Sequence, residues 1–476
     1  MLGRHLVILG PGGLLAAAEA NPHGYVEKAR LRVLDRGSLA APSIADGRIL
    51  VRNHTHIASV AVTESTRGEP RRTVETDPRL AESEFAAFVH RVKAASDKKV
   101  LIDDFIASHE RFPVVEGDGL VHFVYHGPVD DIALLGSMTD WEASDPMERI
   151  SGTDFYYKSY ALEPGGRWEY LFNLNFDKYV TDPLNPRRSP GDWQEVSEVA
   201  TPGWVEPRHL DEPVGARGST ESFRFESEIL ANEREVKVYL PSAYSTGRQR
   251  YPLLVVNNGV RVLELIKMDH SLDNLIGKSV APLIVAFVGT PAEAHESWQE
   301  GGPPSYKEYG GLHTGMHARM LAEELVPRLD HTYRTLHQPE AKAVMGIGSA
   351  GLTALYAALH HSTVFGKVAV QSLRPGPTPL QSSSFRPRPF WDALLVLLQE
   401  KEPLPVQIYL DWARSELRSA EQDIDLRRDN GNLFRLLQEK GYTVGGGEYP
   451  GGPGWGSWQA RTDKVLMALF PVQRED

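Results

Sequence analysis

The feature that most restricts the fold is the alternation of apolar runs with helical patterns in residues 213–476. The apolar runs are nearly continuous, which is typical of strands buried on both faces. Such strands require a mostly parallel sheet with helices on each side. The predicted strands are Glu235–Leu240, Leu253–Asn257, Leu283–Val288, Ala343–Gly346, Val368–Gln371 and Gln407–Asp411. The predicted helices are Met316–Leu329, Leu352–His360, Pro389–Glu400, Asp425–Lys440 and Ser457–Leu469.

One strand-to-helix junction, in residues 344–352, has the pattern of the turn that carries the nucleophile of serine hydrolases. That turn needs small residues two positions before and two positions after the nucleophile, because strand and helix pack closely there. If the pattern begins at Gly346, its central residue is Gly348; if Ser349 is central, the bulky Ile347 stands two positions before it. Two interpretations stay open: the nucleophile is lost at Gly348, or Ser349 has taken its place.

Residues 113–212 have a different pattern, with short strands of alternating apolar residues such as Val121, Phe123 and Tyr125. This alternation predicts an Ig-like sandwich. The turn Gly136–Trp141 resembles a loop of glycogen-binding-type modules. That resemblance raises carbohydrate binding as one hypothesis.

Residues 1–64 predict a small β-rich segment of short strands, with a hairpin turn at Pro11–Gly13. A signal peptide is the alternative interpretation of this start. The run 41–52 resembles the last repeat of a quinoprotein-like β-propeller. Each repeat forms one blade of a propeller, and a single blade cannot form the closed ring of a propeller by itself. Residues 65–112 predict a linker followed by helices.

Together these segments resemble the enterochelin esterase and esterase D group of α/β-hydrolases. Segment 346–352 is Gly-Ile-Gly-Ser-Ala-Gly-Leu, where that family has Gly-x-Ser-x-Gly-Gly-Leu. The resemblance implies an α/β fold: an α/β-hydrolase domain in residues 213–476, preceded by an all-β Ig-like (E-set) sandwich in residues 113–212. It places the catalytic serine at Gly348 and gives the backbone N–H of Ser349 a part in the oxyanion hole.

The same resemblance locates the other two members of the catalytic triad. Segment 450–458 is Pro-Gly-Gly-Pro-Gly-Trp-Gly-Ser-Trp, where the family has Pro-Gly-Gly-His-x-x-x-x-Trp, so Pro453 occupies the histidine position. Proline has no titratable group, and no histidine follows His361. Glu416 stands at the acid position; its alternative role is that of a solvated carboxylate or a partner of Arg414.

The candidate binding residues follow from the same alignment of motifs. Asn258 and Gly259 stand where the family has Asp-Gly, and Trp412, Trp455 and Trp458 either line the former pocket or pack it. A metal site is not predicted. His313 and His317 have helical spacing, but no third ligand is evident, so surface or core histidines are favoured.

The composition restricts the possible partners and leaves the compartment open. The formal net charge of −12 argues against binding to nucleic acids or anionic membranes. The absence of cysteine excludes disulfides and thiolate catalysis. No apolar run approaches the roughly 20 residues of a membrane span. A cytoplasmic protein without a cofactor is expected, with a periplasmic or secreted protein as the alternative if the N-terminus is truncated, and a homo-oligomer stays open.

Three functions are therefore considered. The first is a non-catalytic esterase homologue that binds small molecules or acts as a scaffold, because two triad positions, Gly348 and Pro453, lack the required groups. The second is an active carboxylic-ester hydrolase that uses Ser349 or a relocated triad on siderophore-like or aryl esters. The third is carbohydrate binding by residues 113–212.

Overall fold

In a computed structural model, the chain divides into two compact units, residues 1–162 with 170–186, and residues 163–169 with 187–476. The structure describes residues 5–9, 14–19, 26–34, 42–45, 48–52, 57–61, 77–141, 145–175, 177–291, 307–375, 389–400, 402–419 and 424–472.

The first unit begins with two antiparallel three-stranded sheets. They share a small core that includes Leu15, Leu34, Ile49 and Val51. The predicted pairing of the first two strands is confirmed, while their turn at 11–13 lies outside the described residues. The strands are His5–Leu9, Leu14–Glu19, Val26–Arg32, Ser43–Ala45, Arg48–Arg52 and Ile57–Ala61.

The rest of the first unit contains a four-stranded antiparallel sheet, four strands of a second antiparallel sheet and two helices of 11 residues. Aromatic pairs join the two sheets; the ring centroids of Phe123 and Tyr170 are 4.7 Å apart. The helices Glu84–Ala94 and Lys98–Ser108 contribute Phe88 and Ile102 to a core that also contains Phe155. The Ig-like assignment of this region stays a prediction. The strands of this region are Val114–Glu116, Leu120–His126, Ile132–Gly136, Asp145–Pro146, Glu148–Arg149, Phe155–Ala161, Arg167–Leu174 and Lys178–Val180.

The second unit is built on an eight-stranded sheet. The strand Asn232–Leu240 is antiparallel to its two neighbours, and the remaining pairs are parallel. In spatial order the strands are Ser219–Ser227, Asn232–Leu240, Ile284–Pro291, Leu253–Asn257, Lys342–Ile347, Lys367–Gln371, Gln407–Ala413 and Val444–Tyr449.

Helices cover both faces of this sheet. Neighbouring residues of one strand, Val344 and Met345, belong to different core clusters, because successive side chains of a strand point to opposite faces. The longer helices are Gly259–Ile266, Met268–Leu275, Thr314–Arg319, Val326–Thr332, Ser349–His360, Pro389–Glu400, Leu426–Glu439, Trp455–Ala460 and Thr462–Leu469, and a π-helical stretch spans Met320–Leu325. The predicted mixed α/β fold with a mostly parallel sheet is thus confirmed.

Candidate functional site

The predicted triad positions lie at one edge of the eight-stranded sheet. Four adjacent strands run parallel and end at Ile347, Gln371, Ala413 and Tyr449. Each predicted triad position follows one of these ends: Gly348 directly, Glu416 after three residues and Pro453 after four. The carboxyl ends of parallel strands meet at the same edge of a sheet, which is where α/β folds place their ligands.

Gly348 occupies the turn between strand and helix, with φ 59° and ψ −126°. Its N–H donates to the carbonyl of Gln371 at 2.9 Å, and its carbonyl accepts from the N–H of Arg374 at 3.2 Å. Ser349 is the first residue of the following helix. A Cβ added to Gly348 meets nothing within 4 Å, so the left-handed backbone, and not a lack of space, is what favours glycine there.

The residues around Gly348 are small because the strand before it and the helix after it pack closely against their neighbours. A Cβ on Gly346 would lie 2.2 Å from the carbonyl oxygen of Ala350, and one on Gly351 would lie 2.6 Å from Cγ1 of Val370. Gly346 and Ala350 stand two positions before and after Gly348. The close packing is therefore centred on Gly348 and not on Ser349.

Glu416 is buried, being only 2% exposed, and accepts a hydrogen bond from the N–H of Ala413 at 3.0 Å. Burial raises the pKa of this carboxyl group, although the hydrogen bonds from the Ser372 hydroxyl and from Ala413 oppose the rise. Ser372 has a φ of 49° and also accepts from Nε1 of Trp458 at 2.9 Å. Ser372 thus connects the acid position with the helix that follows the Pro453 loop. Sequence reasoning missed this role of Ser372, because Trp458 lies 86 residues further along the chain.

Pro453 lies in a loop, residues 450–454, that is held from both sides. The N–H of Gly451 donates to Glu163 at 2.7 Å, and the N–H of Gly452 donates to the carbonyl of Arg167 at 3.0 Å. Behind the loop, the buried carboxylate of Glu169 accepts from the N–H of Gly456 at 2.8 Å. Sequence reasoning missed these contacts, because the partners are more than 280 residues apart.

A buried ionic network contacts the helix Ser349–His360, which follows Gly348, from the side of residues 307–319. His317 contacts Glu308 through Nδ1 at 2.9 Å and Asn257 through Nε2 at 3.2 Å. Arg234 pairs with Glu308 at 2.9 Å, and the amide of Asn257 donates to the carbonyl of Ala350 at 3.4 Å. Burial opposes ionisation of Glu308, but hydrogen bonds from His317 and Arg234 hold its pKa down to about 2.

The two histidines at helical spacing have different environments. His317 is fully buried in this network, and burial lowers the pKa of its imidazole, whereas His313 is exposed. Over the described ranges, no group of three or more histidine and carboxylate side chains is placed to hold a metal ion.

The predicted binding residues separate into two groups. Trp455 and Trp458 lie together, with ring centroids 5.2 Å apart, and Nε1 of Trp455 donates to Asp192 at 3.0 Å. Trp412 belongs to the other core cluster and packs against Phe434. The structure therefore brings together two of the three tryptophans.

Asn258 and Gly259 begin a helix after the strand that ends at Asn257. Asn258 has a φ of 52°, and its N–H donates to the hydroxyl of Tyr309 at 3.0 Å. Gly259 needs to be glycine, because a Cβ would lie 2.5 Å from Cα of Phe287.

The comparisons with known proteins identify the family. Residues 227–469 match the family model described as a putative esterase, and the chain belongs to that family. It is 24% identical over 275 residues to the iron(III) enterobactin esterase of Dickeya dadantii (strain 3937). The aligned region covers 50% of this chain and 60% of that protein. It is 22% identical over 258 residues to the uncharacterized protein YjcH of Bacillus subtilis (strain 168), which covers 53% of this chain and 98% of that protein.

Solved structures show the same fold. The enterobactin esterase FES from Shigella flexneri, solved in the presence of enterobactin, superposes with a TM-score of 0.60 at 20% identity, over 77% of this chain and 97% of that one. The ferric enterobactin esterase of Salmonella typhimurium gives a TM-score of 0.59 at 18% identity, over 77% and 98%. No helix in the described part of the chain is long and apolar enough to cross a membrane.

Proposed function

We propose that this member of the esterase family does not hydrolyse esters through a serine triad and instead binds a small molecule at the same edge of the sheet. The observation that carries the proposal is the position of Gly348. It occupies the positive-φ turn around which the close packing of Gly346 and Ala350 is centred. A residue without a side chain at this turn supplies no nucleophile.

The neighbouring residues support the same proposal. Ser349 belongs to the helix, one residue beyond the turn, and Pro453 has no group that accepts a proton. Loss of either the serine or the histidine of a triad lowers the rate by about 10⁶, and loss of both costs little more, because they act as one unit. Catalysis of about 10³–10⁴ over water, from the oxyanion hole and binding alone, is the level expected here.

For the ligand, we propose a siderophore-like or aryl compound. The support is the fold shared with a structure solved in the presence of enterobactin, together with the tryptophan pair, Trp455 and Trp458, beside the Pro453 loop. We also propose that residues 113–212 are an Ig-like domain and that residues 1–64 derive from a propeller blade. The two antiparallel sheets joined by aromatic pairs favour the first of these assignments.

The decisive experiment measures hydrolysis of p-nitrophenyl acetate by the natural chain and by Ser349→Ala. We expect the natural chain to show no more than this residual activity of about 10³–10⁴ over water, and Ser349→Ala, which keeps the backbone N–H of the oxyanion hole, to have the same rate. Turnover that disappears in Ser349→Ala, but not in the matched control Ser242→Ala, would overturn the proposal. Ser242 also begins a short helix and is exposed.

A rebuilding experiment tests the assignment of the two lost positions. The double variant Gly348→Ser/Pro453→His restores both groups, and the free space around Gly348 accepts a serine side chain. We expect kcat/KM for p-nitrophenyl acetate to rise at least tenfold over the natural chain. A folded double variant with no gain would show that these positions are not those of the serine and histidine.

A further inference from the structure

A concave surface of about 280 Å³ lies beside the first turns of the helix Leu426–Glu439. Four arginines line it, Arg418, Arg427, Arg428 and Arg435, and we call it the arginine cavity. This concentration of guanidinium groups is unexpected in a chain with a net charge of −12. None of the four residues takes part in the site described above.

The carboxylates around the arginine cavity neutralise only part of this charge. Its lining contains Asp425 and Glu448, and Glu448 accepts two hydrogen bonds from Arg427, at 2.7 and 3.1 Å. Arg418 pairs with Asp425 at 3.4 Å. Two of the four guanidinium groups are thus paired with lining carboxylates.

Of the other two arginines, one pairs with a carboxylate outside the lining and one has uncharged partners. Arg428 donates to Asp429 through Nε and Nη2, both at 3.4 Å, and its side chain is 54% exposed. Arg435 donates to the amide oxygen of Asn432 at 2.6 Å and to the carbonyl of Gly431 at 3.4 Å, both uncharged. Because positions 428, 432 and 435 lie on one face of a helix, these donors face the same space.

A glycine in the helix wall gives an independent indication. Gly431 lies inside the helix, where glycine costs about 1 kcal/mol relative to alanine. Packing does not require it, because a Cβ there would meet only Cζ2 of Trp412, at an ordinary 3.8 Å. Gly431 is part of the cavity lining, so its effect is to leave the wall open.

We propose that the arginine cavity binds a small ligand carrying at least two oxyanion groups, either carboxylates or phosphates. The guanidinium fork matches both groups with paired N–H donors. The volume suits a compact molecule, since it lies just below the usual range for ligand pockets of about 300–1,000 Å³. The proposal is independent of the chemistry at Gly348, because none of the cavity residues belongs to the triad positions.

The test is isothermal titration of the full chain with citrate and with pyrophosphate, at constant ionic strength set by NaCl. We expect saturable binding of at least one probe. Citrate alone would assign a carboxylate ligand, and pyrophosphate alone a phosphate ligand. In Arg428→Gln/Arg435→Gln the Kd should rise at least tenfold, whereas in the control Arg208→Gln/Arg248→Gln it should change less than twofold. Both control arginines are exposed and lie outside the cavity.

A second variant keeps the arginines and changes only the charge. Asn432→Asp is nearly isosteric and adds a carboxylate to the lining, so it should also weaken binding at least tenfold. Thermal unfolding of each variant checks that the fold is retained. Absence of saturable binding for both probes, or equal weakening in the double variant and its control, would overturn the proposal.

Discussion

At the scale of single residues, Gly346 and Gly348 differ in why they are glycine. Gly346 is restricted by contact, because a Cβ would lie 2.2 Å from the carbonyl oxygen of Ala350. Gly348 is restricted by its backbone, since φ is 59° and the surrounding space is empty.

These two causes predict different losses of stability for the same substitution. Gly346→Ala should lower the free energy of unfolding by about 3 kcal/mol or more, because rigid backbone has to move. Gly348→Ala should lower it by about 1–3 kcal/mol, the typical cost of a strained backbone conformation. Urea unfolding of both variants measures the difference. Equal losses would contradict the distinction between contact and strain.

Glu416 predicts a pH dependence whose sign follows from its burial. Burial raises the pKa of Glu416 in the folded protein above the ordinary value of 4.5. Between that value and the raised one, the folded protein holds a proton that the unfolded chain has released. The unfolded state binds fewer protons, so the free energy of unfolding falls as the pH rises through this interval.

Glu416→Gln removes this dependence, because the side chain stays neutral at every pH. We expect the free energy of unfolding of the variant to increase relative to that of the natural chain as the pH rises above the ordinary value of 4.5. Denaturant titrations at several pH values measure the trend, and the exposed Glu402→Gln serves as the control for loss of one charge. A flat or opposite trend would mean that hydrogen bonds stabilise the ionised carboxylate enough to offset its burial.

At the scale of elements, two helices each contain an internal glycine, and their environments differ. In Leu426–Glu439, a Cβ on Gly431 meets only Trp412 at 3.8 Å. In Ser349–His360, a Cβ on Gly351 would lie 2.6 Å from Val370.

Substitution by alanine should therefore have opposite effects in the two helices. Gly431→Ala should raise the free energy of unfolding by about 0.5–1 kcal/mol, through the lower backbone entropy of the unfolded chain. Gly351→Ala should lower it by about 1–3 kcal/mol through overpacking. Denaturant unfolding of the pair is the measurement. A loss of stability in Gly431→Ala would show that the open wall has a packing role after all.

The elements also show what the sequence could predict. Continuous apolar runs located the central strands, because a strand buried on both faces leaves a clear signal. The edge strand Val444–Tyr449 was missed since it contains three consecutive glycines, and helix Ser457–Leu469 was predicted as one although it breaks at Arg461. At the site, the assignment of Gly348 and Pro453 to triad positions came from the resemblance of two short motifs to the family pattern, and it stays a prediction. The contacts of Glu169 and Ser372 depend on distant segments and left no local pattern.

At the scale of the whole molecule, the two N-terminal sheets have a core of their own, formed around Leu15, Ile49 and Val51. All nine tryptophans lie at position 141 or later, so tryptophan fluorescence does not report on residues 1–64. This distribution allows the stability of the remaining chain to be followed selectively.

Removal of residues 1–64 should leave the unfolding midpoint seen by tryptophan fluorescence within about 2 °C of the full chain, since independent sites contribute additively. The single substitution Val51→Asp, which places a charge in the small core, should likewise leave this midpoint unchanged. Thermal scans of both variants measure it. A clear decrease in both would show that the N-terminal sheets stabilise the esterase fold.

The glycine at position 348 has a consequence for the balance between stability and function. A catalytic side chain at such a turn carries a conformational penalty of about 1–3 kcal/mol, which an enzyme tolerates in exchange for reactivity. Because the residue with φ 59° is a glycine, this chain keeps the turn without that penalty. Stability gained in this way tolerates further substitutions elsewhere, so a glycine at this turn widens the range of sequences that can retain the fold.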